Sequence, residues 1–149
     1  MDNRWIPALA FVLLTGCGGG TPTGECRGDD CACTDATCDC PATGSCAQEC
    51  TSACVLGCSD GADCEFSCGT GCLAECPGSG SCEVEVGTGS TVVCDGPGGC
   101  DVVCNGDCNV TCPGSGTCRV RCGEGDMCLL QACDAVSCPD GSQVCNGAC

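Results

Sequence analysis

The chain is expected to fold as a small, disulfide-rich, all-β structure: a two-sided β-solenoid of 18-residue repeats, or else a row of disulfide-laced hairpins. Three observations point there. Cysteine supplies 27 of 149 residues, while aromatic residues number only two phenylalanines and one tryptophan. Cross-links must therefore do much of what apolar burial normally does. Cys46, Cys64, Cys82, Cys100 and Cys118 follow one another at intervals of eighteen residues, the self-similarity that marks a repeat architecture. Within a unit the cysteines recur every fourth residue, in five-residue segments bounded by glycine, proline, asparagine or aspartate. Such segments are too short for helix. As strands, each turns its two cysteines and its middle residue to one side.

The chain opens with a short apolar run from Trp5 to Leu14, preceded by Arg4. This is half the length that a spanning helix needs and fits a signal h-region. The run closes on Leu14-Thr15-Gly16-Cys17, followed by Gly18, Gly19 and Gly20. That stretch resembles the lipobox of bacterial lipoproteins, and the resemblance covers only the first twenty residues. It implies a signal peptide over residues 1–16, cleavage before Cys17, and diacylglycerol and acyl chains (palmitate) on that cysteine. Gly18, in the place where an acid would favour inner-membrane retention, implies anchorage at the outer membrane, periplasmic or surface-exposed. An ordinary secretory signal is the alternative. Residues 17–25 then form the lipidated cysteine and a flexible tether.

Residues 26–45 carry Cys26, Cys31, Cys33, Cys38 and Cys40 at another spacing and are expected to cap the array, with Cys33–Cys38 inside Cys31–Cys40 as one hairpin. Residues 46–127 hold the repeats. Their middle residues are Leu56, Phe66, Ala74, Val84, Val92, Val102, Val110 and Val120, continued by Leu130, and only Gln48 departs. Outward positions are mostly polar, as in Glu65 and Ser67, Glu83 and Glu85, Asn109 and Thr111, or Arg119 and Arg121. This is the alternation of half-buried strands. Continuous backbone pairing favours the solenoid, although Glu65, Glu83 and Asp101 would then stack as a like-charge column.

The third unit carries Val86 and Ser90 where its second and third cysteines should be, while Cys82 and Cys94 remain. Two partners are thus lost together, which pairs second with third and, by extension, first with fourth. The expected bridges are Cys46–Cys58, Cys50–Cys54, Cys64–Cys76, Cys68–Cys72, Cys82–Cys94, Cys100–Cys112 and Cys104–Cys108. After Cys122 the turn lengthens and the period is lost. Residues 128–149 are expected to form an irregular cap, and Cys26, Cys118, Cys122, Cys128, Cys133, Cys138, Cys145 and Cys149 receive no assignment. Setting Cys17 aside leaves 26 cysteines, an even number that permits 13 bridges. So many cysteines indicate an oxidising compartment.

Twenty acids against four arginines give a formal charge of −16. Such a surface repels nucleic acid and anionic headgroups, so membrane contact is expected only through the lipid. Histidine, lysine and tyrosine are absent. No catalytic residues and no cofactor are assigned, and the chain is expected not to be an enzyme. Cys31-Ala32-Cys33 and Cys38-Asp39-Cys40 are close pairs of the kind used by metallothionein-like thiolate clusters, but the dominant C-x3-C spacing suits disulfides. Ser59-Asp60-Gly61-Ala62-Asp63 and Asn105-Gly106-Asp107 offer hard oxygen atoms to calcium, or are simply turns. The expectation is a non-enzymatic, lipid-anchored envelope protein with a structural or adhesive role and an unidentified partner. The alternative is a cation- or metal-sequestering protein.

Overall fold

The computed structural model describes residues 37–149 in full and, before them, only the backbone of two strands at 24–28 and 32–34. The lipobox and Cys17 lie outside the described residues. The strands in chain order are β1 (Gly24–Gly28), β2 (Ala32–Thr34), β3 (Thr37–Cys40), β4 (Gly44–Ser52), β5 (Val55–Cys58), β6 (Ala62–Thr70), β7 (Leu73–Glu75), β8 (Cys82–Gly87), β9 (Ser90–Val93), β10 (Cys100–Asn105), β11 (Cys108–Thr111), β12 (Cys118–Cys122), β13 (Cys128–Gln131), β14 (Val136–Ser137) and β15 (Gln143–Cys145).

The two strands of one repeat do not pair with each other. Each pairs in parallel with its equivalent one repeat on, so that Cys46 lies opposite Cys64, Cys64 opposite Cys82, Cys82 opposite Cys100 and Cys100 opposite Cys118. This is the solenoid rather than the row of hairpins. Even-numbered strands from β4 to β12 form the centre of an eight-stranded sheet, A. Odd-numbered strands from β3 to β13 run in parallel through a seven-stranded sheet, B. Antiparallel strands close most of the ends: β1 on β4, β2 on β3, and β15 with β14 beyond β12.

The alternation of the sequence becomes the two faces of each sheet. In β6 every second residue is buried from Ala62 to Cys68. The inward middle residues Leu56, Phe66, Val84, Val92, Val102, Val110 and Val120 form a single thin core with the cystines on either side. Gln48 takes the same inward place in the first coil, where it is fully buried and its Nε2 lies 3.9 Å from Cys46 Sγ.

The ladder continues around the corners. In the five-residue turns the Gly96 N–H donates to Cys76 O at 3.2 Å and the Gly114 N–H to Cys94 O at 3.2 Å. Stacking is so close that a Cβ on Gly98 would overlap the Gly80 carbonyl, and one on Gly116 that of Gly98. Glycine at these positions is a steric requirement of the one-coil spacing.

The bridges keep three of the seven expected pairs and correct the other four. Cys50–Cys54, Cys68–Cys72 and Cys104–Cys108 close the three-residue turns. The outer pairs Cys46–Cys58, Cys64–Cys76, Cys82–Cys94 and Cys100–Cys112 do not occur. Instead Cys40–Cys46, Cys58–Cys64, Cys76–Cys82, Cys94–Cys100 and Cys112–Cys118 close the five-residue turns. The physical reason is symmetrical: both kinds of turn carry the chain from one sheet to the other and bring their flanking cysteines face to face. Cα separations are 6.3 Å for Cys50–Cys54 and 5.9 Å for Cys58–Cys64. In the third coil, Cys82 and Cys94 survive because each is bonded outwards, to the coils on either side. Loops this short stabilise by about 2 kcal/mol each in the chain-entropy picture, less than the dozen-residue loops expected.

Where the third coil lacks its bridge, Val86 is fully buried and Ser90 almost so. The Cys72 N–H donates to Ser90 Oγ at 3.2 Å, just as the Cys54 N–H points to Cys72 Sγ at 3.4 Å one coil earlier. The serine hydroxyl thus stands in for a cystine sulfur.

Both caps are more regular than expected. β1 takes up Gly24 and Glu25, which the sequence assigns to the tether. β3 already belongs to sheet B, with Cys40 opposite Cys58. Cys33 does lie opposite Cys38 in a hairpin, but Cys40 bonds to Cys46 rather than Cys31. At the other end, Cys128 sits opposite Cys108 and bonds to Cys122, because a five-residue turn simply replaces a three-residue one. Cys133–Cys145 and Cys138–Cys149 complete the C-terminal cap.

Candidate functional surfaces

The two outer faces differ. Sheet A presents Glu65, Glu83, Asp101 and Arg119 in one column and Ser67, Glu85, Val103 and Arg121 in the next. The like-charge column therefore exists. It is tolerated because these side chains project into water and find cross-strand partners at one end. Arg121 Nη2 donates to Asp101 Oδ1 at 2.7 Å, and Asn105 Nδ2 donates to Glu85 Oε1 at 2.6 Å. Arg119 reaches Asp140 of the C-terminal cap at 3.8 Å. Both arginines lie in the last coil, so the middle of the face is acidic, and it holds an open depression among Glu65, Glu83, Glu85 and Asp101 that Arg121 borders at one end.

Sheet B is poor in charge. Its columns are Val55, Leu73, Thr91 and Asn109, and Gly57, Glu75, Val93 and Thr111, the order expected from an 18-residue stack. Leu129 extends the first column and is 57% exposed.

The acidic turns are occupied in holding coils together. Asp63 Oδ1 accepts the Ser81 N–H at 2.8 Å and the Ser81 hydroxyl at 2.7 Å, and the two bonds hold its carboxyl below the usual range. Asp60 Oδ1 accepts the Ser79 N–H at 3.3 Å, and Asp107 Oδ1 the Met127 N–H at 2.8 Å. Ser142, through its hydroxyl and its N–H, lowers Asp140 in the same way, with help from Arg119. Sequence reading missed these bonds, although the eighteen-residue offset from Asp63 to Ser81 could have signalled them.

Sulfur is the other concentrated chemistry. Three sulfurs gather within 4.8 Å of one another at Cys40, Cys46 and Cys64; at Cys50, Cys54 and Cys72; at Cys76, Cys82 and Cys100; at Cys94, Cys100 and Cys118; and at Cys104, Cys108 and Cys128. Each of these sulfurs is in a disulfide, as is Cys38. They are therefore cystine sulfurs rather than thiolate ligands. Among the described residues no helix is long and apolar enough to cross a membrane. No known protein family matches the chain, and neither the curated proteins nor the solved structures contain a significant match.

Proposed function

We propose that this chain is a non-enzymatic lipoprotein of a bacterial cell envelope, a rigid acidic rod held at the outer membrane by lipid on Cys17, with a structural or adhesive role. The observation that carries this reading is the stapling of the coils along both edges, combined with two long outer faces of different character. A rod whose turns are fixed by disulfides in this way suits display at a surface. Its surface chemistry is that of a scaffold, with acids either solvated or engaged in holding turns. Its net charge of −16 keeps it off anionic headgroups, so that the lipid alone makes the membrane contact.

The test is to express the full chain and its Cys17→Ser variant in a bacterial host and separate membrane from soluble fractions. The parent is expected in the membrane fraction, extractable by detergent but not by salt or alkali, with a mass raised by acyl chains. The variant is expected in the soluble fraction. Equal membrane association of the two would overturn the lipid anchor.

A further inference from the structure

The bridges form two columns along the solenoid, and the columns are not alike. At the five-residue turns, Cys40–Cys46, Cys58–Cys64, Cys76–Cys82, Cys94–Cys100 and Cys112–Cys118 succeed one another coil by coil. Cys133–Cys145 continues them, since Cys145 lies opposite Cys118. At the opposite edge, Cys50–Cys54 and Cys68–Cys72 are cut off from Cys104–Cys108 and Cys122–Cys128 by Val86 and Ser90. One column is unbroken and the other is interrupted at the third coil.

Neighbouring bridges within a column almost touch. Cys64 Sγ is within 4.8 Å of both sulfurs of Cys40–Cys46, Cys100 Sγ within the same distance of both of Cys76–Cys82, and Cys118 Sγ of both of Cys94–Cys100. The remaining steps of the unbroken column join register partners, Cys64 with Cys82 and Cys118 with Cys145. The spacing of neighbouring strands enforces this approach.

We propose that the unbroken column conducts thiol–disulfide exchange from the C-terminal end to the N-terminal end. An external dithiol reduces Cys133–Cys145: two electrons and two protons pass to the two cysteines, and the dithiol becomes a disulfide. The Cys145 thiolate then attacks a sulfur of Cys112–Cys118. A new S–S bond forms, the old one breaks, and the expelled cysteine leaves as thiolate to attack the next bridge. Each later step exchanges one S–S bond for another with no net redox change. Among the described residues, entry is from the C-terminal end because Cys133 is half-exposed, whereas the column from Cys40 to Cys118 is no more than 6% exposed.

The interrupted column is the internal control. It too has an accessible bridge at its C-terminal end, in Cys122–Cys128, yet exchange should halt at Cys104–Cys108. Its N-terminal members are as deeply buried as those of the other column: Cys50 is 7% and Cys54 1% exposed, against 4% for Cys46 and 1% for Cys40. Direct reduction would therefore label both alike, and exchange would not.

The oxidised full chain is treated with less dithiothreitol than it has bridges, quenched at intervals with iodoacetamide, and mapped by mass spectrometry without reduction. Expected are labels that advance along the unbroken column from Cys133 to Cys40, with cross-coil bonds such as Cys118–Cys145, Cys82–Cys100 and Cys46–Cys64. Labels at Cys50, Cys54, Cys68 and Cys72 should be several-fold lower. Equal labelling of the two N-terminal groups, simultaneous labelling of all bridges, or absence of cross-coil bonds would each overturn the proposal. The double variant Val86→Cys, Ser90→Cys restores the missing rung, and label at Cys68 and Cys72 should then rise several-fold. Unchanged labelling in a variant whose mass shows the added bridge would also overturn it.

Discussion

Because every bridge from Cys40 to Cys128 joins cysteines that are consecutive in the sequence, none of these bridges spans a strand of the solenoid. Glu75 lies between Cys72 and Cys76, bonded to Cys68 and Cys82 respectively, so a cut after residue 75 should part the chain without reduction. Glu75 is exposed on sheet B, and Glu75→Met should change stability by less than about 0.5 kcal/mol. Cyanogen bromide cleaves after methionine in denaturing acid and leaves disulfides intact. The variant should yield separate fragments, each about half of the 14.5 kDa chain. Met127 provides the control, since it lies inside the Cys122–Cys128 loop and cleavage there must leave its two products joined. Fragments of Glu75→Met that stay joined until reduced would refute consecutive pairing and restore a bridge such as Cys64–Cys76.

Three further outcomes are expected. Ser90→Ala should lower the midpoint of guanidinium unfolding by an amount equivalent to about 1–3 kcal/mol, because it leaves the buried Cys72 N–H without its acceptor. Ala53→Gly should raise the same midpoint slightly, by about 0.5 kcal/mol, since Ala53 is held at a φ of 56° that disfavours a side chain. Acidification should weaken the stack. The folded carboxyls of Asp63 and Asp140 are depressed, so their contribution is present above about pH 4, the ordinary carboxylate range, and is lost as pH falls through the lower folded values. Asp63→Asn should flatten that part of the profile of melting temperature against pH, and an unchanged slope would deny Asp63 its role.

Much of this fold is legible because its period is covalent as well as hydrophobic. Eighteen-residue spacing, turn glycines and inward valines all describe one coil, and the outer columns of sheet B follow from them without further information. What misled the reading was the frame. A repeat has no natural first residue, and grouping Cys46 with Cys58 as one unit concealed that Cys58 faces Cys64 across a turn of the same kind as that between Cys50 and Cys54. The loss of Val86 and Ser90's cysteines revealed one pairing and was silent on the other. Cys128 escaped for a related reason: a turn two residues longer breaks the spacing without breaking the ladder. The bond from Asp107 to Met127 crosses the lengthened turn at an offset of twenty residues, which the eighteen-residue spacing alone does not contain.

The consecutive bridges also decide how the rod would yield under load. Suppose a coil is pulled out of the stack with its disulfides intact. Its two bridges set aside only the three- and five-residue turns they enclose. The rest of the coil, with the spans across its two bridges, straightens to about 40 Å of chain, against about 4.8 Å of rise in the fold. Each coil is thus a packet of slack released one at a time from an exposed end, and the third coil, with one bridge fewer, is the longest packet. An anchored rod of this construction would lengthen severalfold under tension before any covalent bond was strained, and would rewind when the load was removed.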